Sequence, residues 1–130
     1  MKKILVGLSL FAALGLHASD DIQTTMKDMR DGLVQVQDGF LYNNKEGILS
    51  GIEKITKANK IFHDEKSAAS FLPKDKKKYS KIAYISTKNL NVYLTTMKDF
   101  VEEGSIINAS DAYSGVVHSC THCHAITRGW

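Results

Sequence analysis

The chain has 130 residues, enough for one domain and too few for a second of ordinary size. Hydrophobic residues make up 43% and charged residues 24%, which suits a globular protein, and one proline with nine glycines argues against an all-β sandwich and its many tight turns. A formal charge of +3 is far below the basic surface that nucleic-acid binding requires, so that class of partner is excluded.

The first stretch, MKKILVGLSLFAALGLHA, sets Lys2 and Lys3 before an apolar run from Ile4 to Leu16 and offers Ala18 as the small residue before a cut. That is the plan of a secretory signal peptide, residues 1–18, leaving a mature domain at 19–130. The run is shorter than the roughly 20 residues that span a bilayer, so no stable membrane span is expected. No cysteine stands at the cut, which excludes a lipoprotein. Loss of Lys2 and Lys3 takes the 17 basic residues to 15 against 14 acidic ones, a net of +1. Export places the mature chain in the periplasm, where free thiols are normally oxidised.

In the mature chain, Ile22, Met26, Met29, Leu33, Val36 and Phe40 recur at alternating steps of four and three, one stripe of an α-helix. Ser19, Asp20 and Asp21 supply its cap, and Asn43-Asn44 end it. Ile48, Ile52, Ile55, Asn59 and Phe62 make the stripe of a second helix at about 45–63. DEKSAASFLPKD reads as a loop, and Pro73 as the first residue of a third helix whose stripe takes in Ile82, Ile85, Val92, Tyr93, Met97 and Phe100. Gly104 stops that helix and Ser105 caps a fourth, with Ile106, Ala109, Tyr113, Val116, Cys120 and Cys123 on one face. No segment alternates at period two. Four amphipathic helices with short connections must bury their stripes against one another, so an all-α, antiparallel four-helix bundle is expected.

The chemistry gathers in CTHCHAITRGW, residues 120–130. Cys120 and Cys123, the two cysteines of the sequence, stand at i, i+3 on one helix face, with His124 directly after them. A redox disulfide of the thioredoxin kind needs a βαβ context that this chain lacks. A zinc site drawn from Cys120, Cys123, His122 and His124, with His118 nearby, would crowd its ligands along one helix, whereas structural zinc takes ligand pairs from separate elements. Cys-x-x-Cys-His is the attachment signature of c-type haem: two thiols add to the two porphyrin vinyl groups, and the adjacent imidazole becomes the proximal iron ligand. Haem c, one per chain, is therefore expected on Cys120 and Cys123 with His124 on the iron.

The other haem face decides the function, since sulfur or imidazole would complete an electron carrier and an open face would admit small gases. His118 and His122 lie on the haem's own helix, and His63 sits beside Asp64-Glu65 at the end of the second helix. Met26, Met29 and Met97 all lie on apolar stripes, where methionine is ordinarily core filling.

A helical bundle with Cys-x-x-Cys-His close to the C-terminus resembles the class II cytochromes c: cytochrome c′, the low-spin cytochromes c-556, and their non-covalent relative cytochrome b562. The likeness spans the mature chain, and its specific part is the haem motif. The family often continues the motif as Cys-His-x-x-aromatic-Arg; here Arg128 is kept and Thr127 stands in the aromatic place. Met26-Lys27-Asp28-Met29 looks like the family's distal segment, with Leu33 at the matching spacing. Cytochrome c′ commonly carries an arginine one turn earlier, where this chain has Ile22. By this resemblance Met26 is the distal residue, either bound to iron or only packed over it, with Met29 as the fallback. The resemblance implies an electron carrier in the first case and a protein that binds nitric oxide or carbon monoxide in the second, as monomer or homodimer.

Lys74, Lys76, Lys77 and Lys78 form either a solvated face or a docking patch for an acidic redox partner outside the cytoplasm. Arg128 suits a haem propionate, or the negative end of its own helix. No nucleophile–base pair, phosphate loop or paired carboxylates are present to suggest an enzyme.

Overall fold

A computed structural model of the chain describes residues 17–129, and its side chains from Ile22 to Gly129. Among the described residues there are five α-helices and no strand: α1 (His17–Leu41), α2 (Lys45–Asn59), α3 (Glu65–Ser70), α4 (Ser80–Glu102) and α5 (Ile106–Arg128). The architecture is all-α and compatible with a helical bundle. The expected leader lies outside the described residues save for His17 and Ala18. No helix among the described residues is long and apolar enough to cross a membrane.

Two hairpins form the frame. α1 lies along α2 and α4 along α5, while α2 meets α4 and joins the pairs. Each hairpin turns through a left-handed residue. Asn43 has φ 53° and Gly104 has φ 79°. Asn44 N–H then reaches Gly39 C=O at 2.8 Å, and Ser105 N–H reaches Phe100 C=O at 2.8 Å, so the last carbonyls of α1 and α4 are satisfied across the turn. Asn44 goes on to cap α2, its side chain accepting from Gly47 N–H at 2.9 Å. α1 and α2 approach through glycine. A Cβ placed on Gly51 would lie 2.7 Å from Gly32 C=O, so only hydrogen fits there.

The core is drawn from four helices: Met29 and Val36, Ile48, Ile52 and Ile55, Leu90, Leu94, Met97 and Val101, and Ala109, Ala112 and Val116. Each fully buried large side chain, such as Ile55, Leu94 or Met97, contributes about 1.5–3 kcal/mol of burial.

The expected stripes hold for α1, α2 and most of α5, and four details differ. α1 runs unbroken through Ser19, Asp20 and Asp21, so these do not cap it in the full chain. The segment read as a loop contains α3, held by a reciprocal cap in which Ser67 N–H donates to Asp64 and Asp64 N–H donates to Ser67 Oγ. Pro73 opens a 3₁₀ turn over Lys74–Tyr79, and the α-helix starts only at Ser80. Lys74 and Lys78 would face each other at i, i+4 on an α-helix, which like charges oppose. Ser105 stands at the start of α5, but its hydroxyl accepts from Asn108 Nδ2 at 2.9 Å and caps no backbone group.

The largest correction concerns α4. Its buried face is Ala83, Thr87, Leu90, Leu94, Met97 and Val101, again at steps of four and three. Of the expected stripe only Met97 is buried, with Phe100 half-buried against the core, whereas Ile85 is 44% and Val92 62% exposed. The register slips because Ser86 and Thr87 can go inside: Ser86 Oγ donates to Ile82 C=O and Thr87 Oγ1 to Tyr84 C=O, so neither hydroxyl is left unsatisfied.

Candidate functional site

α1 and α5 meet at one end, where Phe40 packs edge-on against Tyr113, and towards the other end an apolar cavity of about 380 Å³ opens between them and α4. α1 lines it with Met26, Met29, Arg30 and Leu33; α4 with Ser86, Thr87 and Leu90; α5 with Cys120, Cys123, His124 and Arg128. Phe62, in the 3₁₀ turn after α2, closes one side. A second cavity of about 310 Å³ adjoins it and shares Met26, Phe62, Thr87, Cys123, His124 and Arg128. Phe71, Leu72 and Pro73, from the segment after α3, wall the second space. Together these match the size and apolar character of a cofactor site.

The residues singled out from the sequence therefore meet. Cys120, Cys123 and His124 project from the last turns of α5, and Met26 faces the same space from α1, half-buried against the core. Arg128 reaches it from the end of α5. Met29 is 6% exposed and lines the cavity one turn along from Met26. Met97 is fully buried in the core and lines neither cavity. His63 lies at the surface with its Nε2 3.6 Å from Asp64 Oδ2.

The electrostatics sort the chemistries open to this group. Both thiols are free, and burial raises their pKa values. Cys120 is pushed up to about 11 by burial, with the neighbouring Cys123 adding to the rise. A redox pair and a zinc site both depend on thiolates, which low-pKa surroundings supply. With no ion bound to draw off their protons, these two thiols rest neutral in an apolar wall. His124 is shifted the other way: burial and the Arg128 guanidinium lower its pKa, keeping the imidazole neutral with a lone pair to offer. The carboxylate-free lining and the two thiols beside a neutral imidazole suit a flat apolar macrocycle bearing a metal, held at one edge by sulfur.

Sequence reasoning missed Arg30, which sits near the cavity mouth beside Asp31 at 3.4 Å, and the wall from Phe71 to Pro73. The run AASFLP carries an apolar signal for that wall, but it is too short to show a period. Arg30 follows Met26 by one helical turn, which places it on the same face.

No family model matches the chain, and neither curated proteins nor solved structures give a match.

Proposed function

We propose that the chain is an exported monohaem c-type cytochrome, an antiparallel four-helix bundle that carries single electrons between partners outside the cytoplasm. The observation that carries this reading is that one apolar cavity gathers Cys120, Cys123 and His124 from α5 and Met26 from α1. Cys120 and Cys123 would each form a thioether by adding S–H across a vinyl group, a reaction open to protonated thiols. His124 would supply the proximal nitrogen and Met26 the distal sulfur. Haem iron so ligated exchanges one electron between ferric and ferrous states, and the thioether ligand favours the ferrous one.

The rest of the chain orients these groups and excludes water. Leu33, Leu90 and Phe62 keep the cavity apolar. Arg128 and Arg30 sit where acidic substituents of the macrocycle could be neutralised as they approach solvent. The lysines of the turn Lys74–Tyr79 provide a positive patch for an acidic partner.

The test is the visible spectrum of haem-loaded protein, ferric and ferrous, with and without carbon monoxide, for the unaltered chain and Met26→Ala. Low-spin bands indifferent to carbon monoxide, turning high-spin and gas-sensitive in the variant, are expected. High-spin bands that shift with carbon monoxide in the unaltered chain would assign the protein to gas binding, with Met26 only packed over the iron.

A further inference from the structure

His118 and His122 take no part in the cavity, yet they are arranged for a purpose of their own. They stand at i, i+4 on the exposed side of α5, with ring centroids 6.1 Å apart and planes 24° from parallel. That spacing is the one at which a helix presents two imidazoles to a single ion. A second feature orients one ring. Ser86 Oγ lies 3.0 Å from Ile82 C=O and 2.9 Å from His122 Nδ1, within hydrogen-bond distance of both. An ion bound at Nε2 selects the tautomer with the proton on Nδ1, and in that tautomer Ser86 Oγ accepts from Nδ1–H while its own proton goes to Ile82 C=O. A histidine whose far nitrogen donates to a neighbouring element, leaving Nε2 free, is the arrangement found around metal-ligating imidazoles. His118 is exposed and free to turn towards the same ion.

We propose that His118 and His122 form a chelating site on the outer face of α5 for a divalent transition-metal ion of the imidazole-preferring class, copper(II) foremost, then nickel(II) and zinc(II). Two nitrogens come from the protein and water completes the sphere, since no group of three or more metal-binding side chains occurs among the described residues. Ser86 on α4 is a positioning residue: it holds the Nδ1 edge of His122 at 2.9 Å, supports the ring when Nε2 binds an ion, and ties the site to the α4–α5 hairpin. The two imidazoles lie outside the cavity of Cys120, Cys123 and His124, which Ser86 also lines, and binding through them does not depend on haem.

The test uses the full chain with both thiols capped, as thioethers in haem-loaded protein and with iodoacetamide in the unloaded chain, so that a failure of the haem reading leaves this one testable. Copper(II) is the probe, followed by equilibrium dialysis and electron paramagnetic resonance. One copper per chain is expected, with hyperfine structure from two nitrogens. His118→Gln and His122→Gln should each abolish binding at the concentration that half-saturates the unaltered chain. Ser86→Ala, which leaves both imidazoles in place, should weaken binding by about tenfold, the scale of losing an outer partner of a metal ligand. Far-ultraviolet circular dichroism checks that each variant is folded. Binding that survives His118→Gln, a spectrum without two nitrogens, or no loss in Ser86→Ala would overturn the proposal.

Discussion

Replacing Gly51 with alanine should open the α1–α2 hairpin and so disturb the placement of Met26. A Cβ at position 51 would lie 2.7 Å from Gly32 C=O, 2.9 Å from Val36 N and 2.7 Å from Val36 Cγ2. Two of these three atoms are backbone, so no side-chain rotation can relieve the clash and the helices must separate. Overpacking of this kind costs about 1–3 kcal/mol. Because two of the close atoms are backbone, the cost lies at the upper end of that range, and alanine returns about 1 kcal/mol through its better helix propensity, leaving a net destabilisation of about 2 kcal/mol. Urea unfolding followed by circular dichroism measures it: the midpoint should fall with little change in slope. In haem-loaded protein the displaced α1 should also admit some high-spin character. A midpoint equal to or above that of the unaltered chain would refute the close approach of α1 and α2 at Gly32 and Gly51.

In the unloaded chain, Cys120 is pushed up to about 11 from an ordinary 9.0, so the folded state holds its proton more tightly than the unfolded one. Stability from this group is complete below the ordinary value and is lost as pH rises through the folded one, about 2–3 kcal/mol across the window. Urea midpoints measured on either side should show that loss, and Cys120→Ala should flatten it. Met97→Ala should cost about 2–5 kcal/mol, because the side chain is fully buried, yet leave the haem spectrum unchanged; a spectral change would move the distal ligand away from Met26. Asn59 is buried between α2 and α4 and donates to Thr87 C=O and Asn91 Oδ1, both at 2.9 Å, so Asn59→Ala should cost about 1–3 kcal/mol in thermal or urea unfolding. An unchanged midpoint there would mean that the pair is not joined through this amide.

The helices of the first hairpin were legible because their buried positions are apolar and regularly spaced: Met29 and Val36 on α1, Ile48, Ile52 and Ile55 on α2. α4 was harder to read because it carries apolar residues on two faces. Ile82, Ile85 and Val92 are more hydrophobic than Ala83, Ser86 and Thr87, yet the latter are buried. Hydropathy does not register that a serine or threonine hydroxyl can return its proton to the helix's own carbonyls. α3 escaped notice for another reason: six residues are too few to show a period, and its stability rests on the cap between Asp64 and Ser67. At the candidate site, spacing along α5 brought Cys120, Cys123 and His124 together in the sequence itself. Met26 was reachable only through resemblance, since its meeting with α5 in one cavity depends on how the two hairpins fold together.

The account stands most directly on whether Cys120 and Cys123 carry haem. The measurement is the intact mass of the chain after expression with export and cytochrome c maturation, for the unaltered protein and for Cys120→Ala with Cys123→Ala. The account predicts a mature polypeptide heavier by one covalently held haem, with the addition lost in the double variant. A bare polypeptide mass from the unaltered chain, under conditions where a control c-type cytochrome is loaded, would contradict it.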